Sequence, residues 1–375
     1  MDNDTLRLLR DSIRRFVEHE VVPKARAWEE QGFVPRELLR EMGRLGFLGL
    51  RYAEEFGGGA LDARATALLA EELGRSSFGG FAITVLVHTD MASPHLVNAG
   101  SPEQIRNFLP GVISGDLITA VAVTEPDAGS DVKGIRTSAR RDGDDYVLKG
   151  SKMFITNGAL ADLYFVAAKT DPAAGARGIS MFIVEKGMKG FSVGRTLDKM
   201  GWRSSDTAEL VFDDCRVPAV NLLGEENRGF YAIMKNFQNE RIAIAAMATG
   251  EAARAIEMTL EYVRTRKAFG ALLWDKQAIR QRLSMLAARV EAGRQLVLHA
   301  ASLDAQGRDC VKEVSMAKAY CAELLNDVVY DCLQFHGGAG YMKESAIERM
   351  YRDARVQTIG GGATEVMLEE VAKRL

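Results

Sequence analysis

One carboxylate interrupts an apolar pattern in the second half of the chain. Ile233, Phe237, Ile244 and Met247 recur at spacings of 4, 7 and 3, and Glu240 falls three residues after Phe237 and four before Ile244. Those intervals place all five side chains on one helix face. Burying a carboxylate is costly unless it is paired or protonated, and desolvation raises its pKa toward neutrality. Such a group suits a general base at physiological pH. A structural ion pair with an arginine on another helix is the alternative. Three further segments put glycines and polar residues at element junctions. Val121 to Asp131 offers Thr124, Ser130 and the amides around Ala128-Gly129. They could bind an anion such as a diphosphate, or form a tight loop with no ligand. Met153 to Gly158 reads as a strand entering a turn, with Phe154 and Thr156 on the opposite face from Ile155, or as an ordinary strand end. Gln334 to Tyr341 reads Gln-Phe-His-Gly-Gly-Ala-Gly-Tyr at the end of a long helix. Its glycines could be a plain C-cap. No strand precedes them, so they are not a dinucleotide fingerprint.

These residues need elements to hold them, and the pattern predicts three regions. Residues 1–120 read as helical. Leu6, Leu9, Ile13 and Phe16 share a face, Pro35 begins a second helix, and Ala65 to Leu73 and Glu103 to Phe108 are further helices. Residues 121–222 read as short strands: Ile135–Ala139, Tyr146–Leu148, Met153–Ile155, Leu163–Ala167, Ile179–Val184 and Leu210–Phe212. The turn Asp142-Gly-Asp-Asp joins the first two. Short strands with frequent turns predict a small barrel or sandwich. Residues 223–375 return to helix. A pattern of about 35 residues follows Gly229, a second runs from Gln277 to Ala305, and a third from Val311 to Phe335. No proline follows Pro218, so nothing of that kind interrupts these helices. The fold class expected is α+β, not alternating α/β.

Composition excludes other classes. The chain has 375 residues, is 47% hydrophobic and 26% charged, and is neither disordered nor a disulfide scaffold. Its net charge is −3 and no run forms a concentrated basic face; Arg140-Arg141 is two residues long and followed by acids, which disfavours nucleic acid. Cys310, Cys321 and Cys332 repeat every 11 residues. That spacing is about 16 Å along a helix, too far for a disulfide or shared metal, so they read as buried apolar side chains. Neither CxxC nor HExxH occurs, and no metal is expected. No window is long and apolar enough for a membrane span, and the N-terminus lacks a signal or transit pattern. A cytoplasmic chain is expected.

Together these segments resemble the acyl-CoA dehydrogenase family over essentially the whole chain. Ala122–Gly134 looks like one family pattern. Gln334, Gly337-Gly338, Gly340-Tyr341, Glu344, Arg349 and Asp353 look like the other. The resemblance implies an N-terminal helical domain (1–120), a central β-barrel (121–222) and a C-terminal four-helix domain (223–375), with FAD between barrel and helices. It implies that Val121, Ala122, Val123, Thr124 and Ser130 line the flavin, with Ser130 near the diphosphate. Phe154 stands where many members have tryptophan against the ring, beside Ile155, and Thr156 matches the residue bonded near N5. Arg266 and Phe269, with Gln277, Gln334, Gly337 and Gly338, match positions that reach a neighbouring subunit's FAD. At least a dimer is implied, usually a homotetramer.

Two departures shape the expectation. Many members carry the catalytic glutamate in the final loop, but here that loop reads Ile359-Gly-Gly-Gly-Ala-Thr-Glu365 and the equivalent position is Gly361. The long-chain and isovaleryl subclasses place the base on the long helix in a Glu-Arg pair, as in Glu240-Arg241. The loop and Glu365-Val-Met resemble the long-chain subclass most closely. Ala363 stands where many members have a threonine near the flavin, and Glu365 either contacts the cofactor or is solvated. The implied reaction has Glu240 remove the α-proton of an acyl-CoA while a β-hydride passes to flavin N5, giving a trans-2-enoyl thioester. The backbone N–H of Gly361 helps stabilise the enolate, and Ser130 and Arg241 bind the substrate. Electrons then pass to an electron-transfer flavoprotein. A flavin oxidase or monooxygenase using oxygen, a branched-chain or acyl-carrier-protein dehydrogenase, and a non-catalytic FAD-binding scaffold are the competing readings.

Overall fold

A computed structural model describes residues 3–375; Met1 and Asp2, the start of the acidic N-terminus, lie outside the described residues. Helices open the chain: α1 (Asn3–Phe16), α2 (Ala25–Gln31), α3 (Arg36–Arg44), α4 (Ala63–Gly74), α5 (Gly79–Leu86), α6 (Pro94–Ala99) and α7 (Pro102–Ser114). The stripe predicted for α1 is real, with Ile13 and Phe16 buried. Pro35 caps α3 and does not lie inside it. Helix α7 has a full capping box between Ser101 and Gln104 and runs on through Pro110, past the predicted end. A cap that strong, with Gly115 closing the far end, tolerates the one lost backbone bond.

The strands are β1 (Thr119–Ala122), β2 (Ser138–Asp142), β3 (Asp145–Thr156), β4 (Leu163–Lys169), β5 (Ile179–Glu185), β6 (Phe191–Thr196), β7 (Thr207–Pro218) and β8 (Leu222–Leu223). They form one sheet in the order β6-β7-β3-β2-β4-β5-β8, with β1 parallel to β4. The predicted closed barrel is not formed. Closure would need β6 to pair with β8, but β8 is two residues long and both lie at opposite edges. Near the middle, β2 and β4 share only the pair Ser138–Lys169, which opens the sheet further. Two predicted strands, 146–148 and 153–155, are one strand, β3, whose pairing with β7 shifts register on both sides of Gly150 to Lys152. Strand β6 was not expected. Its sequence, Phe-Ser-Val-Gly-Arg-Thr, is that of an exposed edge rather than a buried ladder.

The last region is built on α8 (Gly229–Val263, 35 residues), a short hairpin β9 (Lys267–Ala268) and β10 (Ala271–Leu272), then α9 (Gln277–Ala305), α10 (Val311–His336), α11 (Ala346–Ala354) and α12 (Thr364–Ala372). Helix α8 packs against α10, α9 and α4, and α12 lies on α10. The three long helices match their predicted extents because apolar periodicity runs through them without proline. All four cysteines are free and buried. Among the described residues no helix is long and apolar enough to cross a membrane, and no cluster of potential metal ligands occurs.

Candidate active site

Glu240 is buried on α8, as the stripe requires, with Ile233, Ile244 and Met247 buried around it and Phe237 half-buried. The anticipated alternative, an ion pair to another helix, is not formed among the described residues. Instead Asn236, one turn earlier, donates its amide to Glu240 Oε1 at 3.2 Å. The same amide group donates to the Met91 carbonyl at 2.8 Å, which fixes its orientation. Burial pushes the Glu240 carboxyl up to about 7, against the opposing pull of Asn236 and Arg241. Arg241 turns the other way. Its guanidinium donates to Ser315 Oγ at 3.3 Å and lies 5.4 Å from the Phe237 ring centre, while its Nε has no partner among the described residues.

The final loop meets this helix. Gly361 and Gly362 have φ of +63° and +101°, left-handed backbone that a side chain would strain. A Cβ at Gly361 would stand 2.2 Å from Ile244 Cδ1, so the loop seats directly on α8 one turn beyond Glu240. Among the described residues the Gly361 N–H has no hydrogen-bond partner. Lys318 of α10, itself fully buried, donates its ammonium to the Gly362 carbonyl. Ala363 is the N-cap of α12 and supplies no side-chain cap, and Glu365 is exposed in the first turn of that helix.

A second group of candidates lies at the ends of β1 and β3. Val121 and Ala122 end β1, and Val123 and Thr124 follow. The Thr124 carbonyl accepts from Met153 N–H at 2.9 Å, which ties the loop to β3. A buried pair missed by sequence reasoning reinforces this. Lys152 donates to Glu125 at 2.7 Å and to the Val123 carbonyl at 3.0 Å, while Glu125 accepts the N–H groups of Arg136 and Thr137 at 2.6 and 3.0 Å. Burial alone would raise the Glu125 carboxyl, but Lys152 and these bonds hold it below the ordinary range. No local signal marks it: Lys152 follows Lys149-Gly150-Ser151, between the two predicted strands, where a lysine ordinarily reads as solvated. Past Glu125, the amides of Gly129 and Ser130 have no acceptor among the described residues, and a Cβ at Gly129 would meet nothing within 4 Å. That is an open cradle of N–H donors suited to a diphosphate. On β3, Ile155 is buried, Thr156 half-buried, and Phe154 is 65% exposed at φ +61°. An aromatic ring held outward beside a hydroxyl fits a flat heteroaromatic cofactor.

The remaining candidates do not join either group within one chain. Arg266, Gln277 and Gln334 are exposed or half-buried, and Phe269, at the β9–β10 turn, is 98% exposed. Gly337 ends α10 at φ +59°, and a Cβ at Gly337 or Gly338 would meet nothing within 4 Å. Among the described residues, no hydrogen bond links any of them to Glu240 or to the β1–β3 loop.

An α+β chain with a donor cradle, an outward aromatic and a buried carboxyl of near-neutral pKa has the makings of a flavoprotein oxidoreductase. Comparison with known proteins makes this particular. Family models for the N-terminal, middle and C-terminal domains of acyl-CoA dehydrogenases match residues 3–116, 120–215 and 227–375. The chain is 44% identical to the long-chain specific acyl-CoA dehydrogenase of Sus scrofa over 98% of its own length and 86% of the relative's. The crystal structure of acyl-CoA dehydrogenase from Geobacillus kaustophilus superposes with a TM-score of 0.95 at 40% identity, covering 100% of this chain and 98% of that one. Butyryl-CoA dehydrogenase from Megasphaera elsdenii gives 0.96 at 35%, covering 100% and 99%. The chain belongs to the acyl-CoA dehydrogenase family. It is an FAD-dependent oxidoreductase that oxidises acyl-CoA.

Proposed function

We infer that the protein converts an acyl-CoA to the trans-2-enoyl-CoA, with Glu240 as the base for the α-proton. The observation that carries this reading is the state of Glu240: buried, without a paired cation among the described residues, and poised at about 7. Such a carboxyl takes and surrenders a proton near neutrality. Loss of the α-proton puts negative charge on the thioester oxygen, which needs a donor. The unpartnered Gly361 N–H, on the loop seated against Ile244, takes that role. FAD, when bound, supplies the two-electron acceptor for the β-hydrogen.

The protein groups that hold the cofactor are Val121, Ala122, Val123, Thr124 and Ser130 of the cradle, and Phe154, Ile155 and Thr156 of β3, with Ala363 and Glu365 at the start of α12. Ser130 and Arg241 contact the substrate. Arg266, Phe269, Gln277, Gln334, Gly337 and Gly338 serve the flavin of a neighbouring copy. The nearly complete exposure of the Phe269 ring, which finds little to pack on in its own chain, supports this reading. The working unit is then at least a dimer, and a tetramer by resemblance to the family, with an electron-transfer flavoprotein as acceptor. Anaerobic mixing with short, long and branched acyl-CoAs tests the function. At least one should bleach the flavin and yield its trans-2-enoyl-CoA in equal amount; absence of bleaching across the panel would remove the assignment.

The base role also fixes a pH dependence. Glu240 works only as the carboxylate, so flavin reduction at low acyl-CoA should climb about tenfold per pH unit below about 7 and level off above it. Asn236 donates to the carboxylate and thereby favours it. Asn236→Leu should shift the inflection to higher pH, as read by stopped-flow reduction. An unmoved inflection would separate Asn236 from the reacting group.

A further inference from the structure

Lys318 has no part in the chemistry described so far, yet its placement is unusual. It lies on the buried face of α10 with Val314, Ala317, Cys321 and Leu325, and its side chain has no solvent exposure. A buried ammonium is costly and calls for a compensating partner. No carboxylate pairs with it among the described residues. Arg241 of α8, also buried, faces it as a second cation, while Glu323 on its own helix and Glu365 on α12 attract it only from a distance. Its hydrogen bond goes to one place, the Gly362 carbonyl. That carbonyl belongs to the residue after Gly361, so the bond holds the loop within two peptides of the unpartnered N–H. Ile244 seats the loop from the α8 side, and Lys318 ties it from the α10 side.

We propose that Lys318 is the positioning residue of the Gly360–Gly362 loop, holding the Gly361 N–H toward the acyl thioester beside Glu240. The assignment rests on the function inferred above for Glu240 and Gly361. Two backbone positions at positive φ make this loop intrinsically able to sample other conformations. A rigid second anchor removes that freedom, and a misaligned donor loses most of its stabilising effect. Lys318 touches neither substrate nor cofactor in this scheme; it acts through the peptide it holds.

Lys318→Met keeps the length and apolar stem and removes the charged donor. In the FAD-loaded enzyme, single-turnover flavin reduction should slow by about 10- to 100-fold. Acyl-CoA affinity, read by the spectral shift on binding to the enzyme carrying Glu240→Gln as well, should change by less than about threefold. Amide hydrogen exchange over residues 359–365 should quicken while the centre of α10 stays protected. Lys318→Gln, which keeps a neutral donor, is measured beside it and covers the case in which the methionine variant does not fold; it should show the same two effects at smaller size. A reduction rate within twofold of the parent, or unaltered loop exchange, in either variant overturns the proposal. The base assignment fails separately, by undiminished bleaching in Glu240→Gln alone. In that event the exchange measurement still decides whether Lys318 holds the loop.

Discussion

Glu240→Gln, purified with FAD, will bind acyl-CoA and leave the flavin oxidised. Glutamine reproduces the shape of the protonated glutamate and can still accept from Asn236, so neither the helix nor the pocket should collapse. What it cannot do is take a proton. Loss of a positioned general base slows a reaction by roughly 10²–10⁴-fold, and here the acid is a carbon, whose proton water removes very poorly. Anaerobic stopped-flow at the visible flavin maximum is the direct measurement, and a rate within about tenfold of the parent would take Glu240 out of the mechanism. Stability provides an independent check. The folded-state pKa of Glu240 lies near 7, above the ordinary value of 4.5. The folded chain therefore keeps its proton where the unfolded chain has lost it, and stability falls as pH rises through that window. The glutamine variant lacks this penalty. Its thermal midpoint should match the parent near pH 4.5 and exceed it above about 7, by at most a few kcal/mol in stability.

Gly361→Ala should be nearly as damaging to turnover although it removes no functional group. The added Cβ meets two obstacles. The backbone sits at φ +63°, which costs a non-glycine residue about 1 kcal/mol. The Cβ would also stand 2.2 Å from Ile244 Cδ1. The tip of an isoleucine can swing, so folding and FAD binding should survive, but the loop must lift from α8 and carry its N–H away from the thioester. Removing one such donor typically costs about 10²–10³-fold, and a displaced one should cost about 10²-fold. Ile244→Val deletes the offending methyl group for about 0.5–1.5 kcal/mol in stability. Added to Gly361→Ala, it should return a substantial part of the rate. Equal rates in the single and double variants would mean that the contact with Ile244 does not set the position of the loop.

The helical part of this site is legible in the residues, and the strand part less so. The long helices α8, α9 and α10 carry their apolar faces in strict local periodicity, so spacing alone puts Glu240 on a buried face. Lys318 carries the same signal, a charge between Val314, Ala317 and Cys321. Its meaning is not local, because the carbonyl it binds lies 44 residues further along the chain. Sheet closure is different in kind. Whether β6 meets β8 depends on pairing between segments far apart in the chain and on one edge strand only two residues long. Nothing local encodes it. The outward turn of Phe154 depends on the register shift between β3 and β7, another property of partners rather than of a sequence window. Family resemblance supplies what periodicity does not: the expectation that all three glycine-bearing segments face a flavin, the last of them a neighbouring copy's.

The four buried cysteines have a practical consequence. Burial pushes Cys215 and Cys310 up to about 11 and Cys321 and Cys332 to about 12. A thiol reacts through its thiolate, so all four should react slowly with alkylating and maleimide dyes while the chain stays folded, as a thiol titration before and after denaturation would check. Labelling of an introduced cysteine should then start from a low background. A single cysteine at Phe269, on the open β9–β10 turn, should label readily in a separated chain and be shielded wherever a neighbouring copy covers that turn.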